Sequence, residues 1–130
     1  MSLYTELRQQ RDKDLLACFN DCLRSANSVS AAFDMLVNMP APRFYVSAGM
    51  VWRNLSLFRR GKKPHDACKR KMLAHLAKEQ DRAGDYTFAY LCKLLEGPAP
   101  SFYIVKTTAT VRVYRLLRER RKNGLFRSNM

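Results

Sequence analysis

Acidic residues are scarce in this 130-residue chain, with 11 Asp and Glu against 24 Lys and Arg. Long apolar runs are missing: no stretch of about 18 uncharged apolar residues occurs, so no segment reads as a bilayer-spanning helix. The first residues, Met1-Ser2-Leu3-Tyr4-Thr5-Glu6, are charged and helical in character, which predicts no secretory leader. The five glycines form no Gly-x-Gly or Gly-Lys-Ser/Thr phosphate cradle, and no Cys-x-x-Cys occurs. Turn dipeptides between alternating apolar runs are also missing, so β-hairpins are not expected. No nucleophile and base stand out as a pair. These absences point away from an enzyme and from any bound cofactor.

What is present is charge and a core. The formal net charge is +13 and the pI about 10.1, while 47% of residues are hydrophobic and 14 are aromatic. That composition excludes a disordered basic tail, which would lack the apolar residues needed to offset the entropy of ordering. A field of this strength attracts polyanions. The four cysteines (Cys18, Cys22, Cys68 and Cys92) fall at helical spacings among apolar neighbours, as expected of buried thiols in a reducing cytoplasm.

The apolar spacing predicts six helices and an all-α fold. Residues 3–26 carry Leu15, Leu16, Phe19, Cys22, Leu23 and Ala26 on one face. A second helix, capped by Ser28 or Ser30, carries Val29, Phe33, Leu36 and Val37 and stops at Pro40-Ala41-Pro42. Ser47 caps a third, with Val51, Leu55 and Phe58 inward, ending near Arg60-Gly61. Pro64 opens a fourth, with Cys68, Met72, Leu73, Leu76 and Ala77 inward and Gly84 as its stop. Asp85 caps a fifth through Phe88, Leu91, Cys92 and Leu95. Thr107 or Thr108 caps a sixth, with Val111, Tyr114 and Leu117 inward, to a stop near Asn123-Gly124. Phe102-Tyr103-Ile104-Val105 is strand-like but too short and isolated to build a sheet.

The pattern runs twice. Pro40-Ala41-Pro42-Arg43-Phe44-Tyr45-Val46 matches Pro98-Ala99-Pro100-Ser101-Phe102-Tyr103-Ile104 at an offset of 58, and Leu15 then falls on Leu73 and Leu36 on Leu94. This predicts two three-helix units, 1–63 and 64–130, sharing a core or fused into one domain, because a unit of that size is marginal alone.

Three helices ending in a capped basic helix are the layout of trihelical DNA-binding units. Tyr45-Val46-Ser47-Ala48-Gly49-Met50-Val51-Trp52-Arg53-Asn54-Leu55 is similar to the recognition-helix pattern of resolvase-like helix-turn-helix proteins, and 108–117 repeats the theme less closely. The connection from Met39 to Ser47 is longer than the three- to four-residue turn of that motif. The Pro-Ala-Pro-x-Phe-Tyr-Val/Ile element resembles small uncharacterised basic bacterial proteins of mobile-element type. The resemblance implies a tandem helix-turn-helix-like protein that binds double-stranded DNA through the third helix of each unit, as a transcriptional regulator or mobile-element accessory protein.

The candidate contacts are clustered. Arg59, Arg60, Lys62, Lys63, Lys69, Arg70 and Lys71 lie within 13 residues that hold one acid, and Arg112, Arg115, Arg118, Arg120, Arg121 and Lys122 lie within 11 that also hold one. These would meet phosphates, with Arg53, Asn54, Arg112 and Arg115 reading bases. The same charge fits structured RNA, or an acidic protein partner, and the oligomeric state is open. Phe44-Tyr45 and Phe102-Tyr103 read first as staples on the following helix and second as stacking platforms for single strands. His65, Cys68, His75 and Cys92 are zinc-ligand types without a spacing that closes a site. Glu79, Asp81 and Asp85 sit where helix ends and caps ordinarily place acids. No metal site is expected.

Overall fold

The computed structural model describes the backbone of residues 3–128, with side chains except for residues 4 and 123–128. Six helices account for the secondary structure of the described residues: α1 (Leu3–Ser25), α2 (Val29–Asn38), α3 (Ala48–Arg59), α4 (Ala67–Ala83), α5 (Phe88–Glu96) and α6 (Lys106–Ser128). The fold is all-α.

Local chemistry sets most of the helix ends. Ser28 caps α2 by accepting from the Ala31 amide, and Gly84 closes α4 in the left-handed conformation (φ 63°) that only glycine adopts without steric cost. Three starts differ from expectation. Asp66 caps α4, accepting from the Lys69 amide, so the helix opens after Pro64 and His65. Thr87 caps α5, while Asp85 accepts from the Thr87 amide and hydroxyl and so holds the cap in place. The backbone of α6 begins at Lys106 and runs through Asn123-Gly124 to Ser128. Ser47 stands at the N-cap of α3 without a side-chain bond to it.

The helices associate in an exchanged order. α1 and α2 pack with α6, whereas α3 packs with α4 and α5. A division between residues 63 and 64 therefore cuts across the packing, since the third helix of each half lies on the first two helices of the other. Side chains fix this exchange. Lys106 reaches back to Ser30 (2.8 Å) and Asp34 (2.9 Å), and Tyr114 lies against Phe33, which stacks on Phe19. At the other end Arg59 donates to the Ala77 carbonyl, to Gln80 and to Asp81. All six helices feed one hydrophobic core.

Positions 58 apart are buried together: Leu15 and Leu73, Phe19 and Ala77, Cys22 and Gln80, Phe33 and Leu91, Phe44 and Phe102, Val51 and Ala109, Leu55 and Val113. The buried face of α6 is thus Ala109 and Val113, while Val111 (67% exposed) points outward and Tyr114 (48%) covers Phe33 from the rim, contrary to the stripe expected from spacing.

The Pro-Ala-Pro tripeptides meet. Each proline lacks an amide proton and holds the residue before it extended, so the central alanine is the only donor of its tripeptide. Ala41 donates to the Ala99 carbonyl (3.0 Å) and Ala99 to the Ala41 carbonyl (2.9 Å), forming a single antiparallel bridge that flanking prolines prevent from growing into a sheet. Beside it Phe44 stacks on Tyr103 and Tyr45 on Phe102, at 6.0 and 5.9 Å between centroids. Both alanines are buried (2% exposed), so Ala99→Leu should lower stability by about 1–3 kcal/mol through overpacking. Chemical denaturation checks this; an unchanged midpoint would mean that the two backbones tolerate a larger gap.

Candidate nucleic-acid interface

The basic residues singled out from sequence fall into three groups, with Arg53, Arg60 and Lys71 apart from them. The first is already engaged. Arg59 makes the contacts to α4 described above and lies over the Tyr86 ring, satisfying the buried Gln80. Arg70 donates to the Pro64 and His65 carbonyls and so braces the turn before α4. These two arginines brace the fold, Arg59 at the contact of α3 with α4 and Arg70 at the turn before α4.

The second group surrounds a cleft of about 670 Å³. It is lined by pairs 58 apart: Arg11 and Lys69, Phe44 and Phe102, Tyr45 and Tyr103, Met50 and Thr108, Asn54 and Arg112. The α3–α4 connection adds Lys62 and Lys63, the latter over the Phe58 ring. Asn54 and Arg112 therefore line one cavity. Thr107, Thr108, Val111, Arg112 and Arg115 line a shallower groove on α6.

The third group lies along α6. Arg112 is half-buried, and its guanidinium is held below the usual arginine range by desolvation first and then by the positive charge of Arg11, with Arg115 and Arg8 adding to it against Asp12. Asp12 pairs with Arg11 (3.0 Å) and more distantly with Arg115 (3.9 Å). Two guanidiniums thus share one carboxylate. Beyond Leu117 the helix runs past the core, and Arg118, Arg120, Arg121 and Lys122 are all exposed around it. α3, which starts at the matching position, stops at Arg59. Arg53, Arg60 and Lys71 are exposed on the surface of the body.

Spacing missed Arg8, Arg11 and Arg43, because α1 read as scaffold and Arg43 as part of a turn. The only hint was the three-residue step from Arg8 to Arg11, which puts both on one flank.

The aromatic pairs stack on each other across the two halves. Tyr45 also donates to Asp14 (2.6 Å), and burial together with that bond pushes its hydroxyl well above the usual tyrosine range. Trp52 meets Phe88 edge-on, joining α3 to α5. Tyr103 has φ of 53°, the one positive value outside glycine among the described residues, and its amide donates to the Ser101 hydroxyl. This conformation costs about 1–2 kcal/mol for an L-residue.

All four cysteines are free thiols. Burial, with neighbouring aspartates, raises Cys18, Cys22 and Cys68 above the usual thiol range. His75 lies against Phe44 and His65 is exposed. Among the described residues no three of His, Cys, Asp or Glu are grouped to hold a metal ion, and no helix is long and apolar enough to cross a membrane. Comparison with protein-family models, with curated proteins and with solved structures finds no match to this chain.

Proposed function

We propose that the protein binds nucleic acid, with double-stranded DNA favoured over RNA, as a single chain built from two related halves. One observation carries the reading: the C-terminal part of α6 leaves the core as a helix bearing Arg118, Arg120, Arg121 and Lys122 with one acid, Glu119, and is continuous with the arginine cluster at Arg112 and Arg115. A helix that is polar all round gains little from packing, and uncompensated like charge destabilises a compact body. Both costs are offset when phosphates accept the charge. Arg112, Arg115, Arg118 and Lys122 recur at three- and four-residue steps on one flank, a stripe of about 15 Å. That length matches the axial run of about four phosphates on one strand.

α6 is then the main contact helix, through backbone charge. The positions expected to read bases, Arg53, Asn54, Arg112 and Arg115, split between an exposed site on α3, the cleft and the α6 cluster. Sequence-tolerant binding follows from that division.

Fluorescence anisotropy with random-sequence duplex DNA across a salt series tests the reading. The expected result is a linear fall of log affinity with log salt, with a slope corresponding to about five or more neutralised phosphates. A structured RNA hairpin competing more strongly than duplex DNA would move the assignment to RNA. Salt-insensitive binding, or none near physiological salt, would remove nucleic acid as the partner.

A further inference from the structure

We propose that the cleft between the two halves is a separate binding site for a free nucleoside polyphosphate, a role that goes beyond contact of α6 with a nucleic-acid backbone. Its volume, about 670 Å³, falls within the range of small-molecule sites. Above a closed core of Val51, Leu73, Phe44 and Phe102, its accessible apolar groups are Met50 (42% exposed) and Val105 (51%), with half-buried Tyr45 and Tyr103, against which a planar base can lie. Its rim is cationic: Arg43, Lys62, Lys63, Lys69 and Arg112 stand around it, beside Arg11, which is paired with Asp12, and the one acid that lines it, Asp66, is occupied as the cap of α4. A ligand matching both surfaces carries an aromatic body and several negative charges on one chain.

The departures from correspondence between the halves give the cleft a direction. Arg43 stands where the other half has Ser101, and Arg112 where it has Asn54. Tyr45 is tied to Asp14, but the residue corresponding to Asp14 is Met72, so no carboxylate holds Tyr103 in the same way. Tyr103 is also the residue with the left-handed backbone, a conformation found at positions where function constrains the chain. Framework pairs such as Phe44 and Phe102 are alike, whereas the groups able to meet a polar ligand differ. A ligand with two unlike ends, a base and a phosphate chain, suits such walls better than a symmetric one. Asn54 offers an amide for the base edge, and the cations on the α3–α4 connection and α4 can meet the phosphates.

Isothermal titration calorimetry of the full chain at fixed ionic strength provides the test, with ADP, inorganic pyrophosphate and adenosine as probes. ADP should bind with submillimolar affinity, at least about tenfold more tightly than either fragment, since only ADP uses the apolar groups and the rim together. Arg43→Ser converts one wall to the residue of its counterpart, and Val105→Glu places a carboxylate at an exposed rim position (51% exposed). Each should weaken ADP binding by about tenfold or more with thermal unfolding unchanged. Pyrophosphate binding as tightly as ADP would reduce the cleft to one more basic surface and overturn the proposal. So would an ADP affinity that neither variant alters, or no detectable ADP binding.

Discussion

Cut between Lys63 and Pro64, the chain should yield two fragments that are largely unfolded when separate and recover native helicity when mixed. In fragment 1–63 the inward face of α3, with Val51 at 0% and Leu55 at 3% exposure in the intact chain, loses α4 and α5. In the same fragment α1 and α2 lose α6, which uncovers Phe33 and its neighbours. Fragment 64–130 suffers the reciprocal loss at Leu91, Ala109 and Val113. Each fully buried large apolar side chain contributes about 1.5–3 kcal/mol. Losing several exceeds the stability of an ordinary domain, about 5–15 kcal/mol. Circular dichroism of each fragment and of the equimolar mixture reads the result directly. Native helicity in either fragment as a monomer by gel filtration would contradict the exchanged packing.

The second large effect concerns binding. Replacing Arg118, Arg120, Arg121 and Lys122 together by alanine should make the salt slope for duplex DNA shallower by about 1.8, because Arg118 and Lys122 lie on the contact flank at about 0.9 each, and lower affinity by about tenfold or more at low salt. Stability should barely change, because all four side chains are exposed and alanine is the strongest helix former. The same variant should bind ADP as the parent does, since none of the four lines the cleft. A slope identical to the parent's would take the α6 extension off the phosphate backbone.

Much of the local structure is legible in the residues. Ser28, Gly84 and the two Pro-Ala-Pro tripeptides mark boundaries because each acts through its own backbone chemistry, which needs no distant partner. The exchange of α3 and α6 is not legible in the same way. Apolar spacing says that Val51 and Leu55 face inward, but it carries no information on which helices cover them. The inward face of α6 is illegible for a related reason: Val111 and Tyr114 are large apolar residues at helical spacing, yet Ala109 and Val113 are the ones fully buried.

The candidate site divides along the same line. Composition reveals how many cations there are, and spacing reveals their clusters. Whether a cation is available depends on partners far along the chain: Arg59 is engaged by Gln80 and Asp81, 21 and 22 residues away. Arg11 and Lys69 reach one cleft only because the halves interlock there. Tyr103 adopts a positive φ while Tyr45, at the matching position, does not, a difference that apolar spacing cannot show.

The exchanged order of the helices also dictates an order of assembly. α3, α4 and α5 are consecutive, so their mutual contacts become possible as soon as Glu96 has been synthesised. α1 and α2 emerge first but are completed last, because the helix that covers them begins at Lys106. At synthesis rates of about 5–20 residues per second, Phe19 and Phe33 wait several seconds for their cover. The oldest part of the nascent chain is therefore the last to be protected. A premature stop before α6 would undo the first helices made rather than merely shorten the protein.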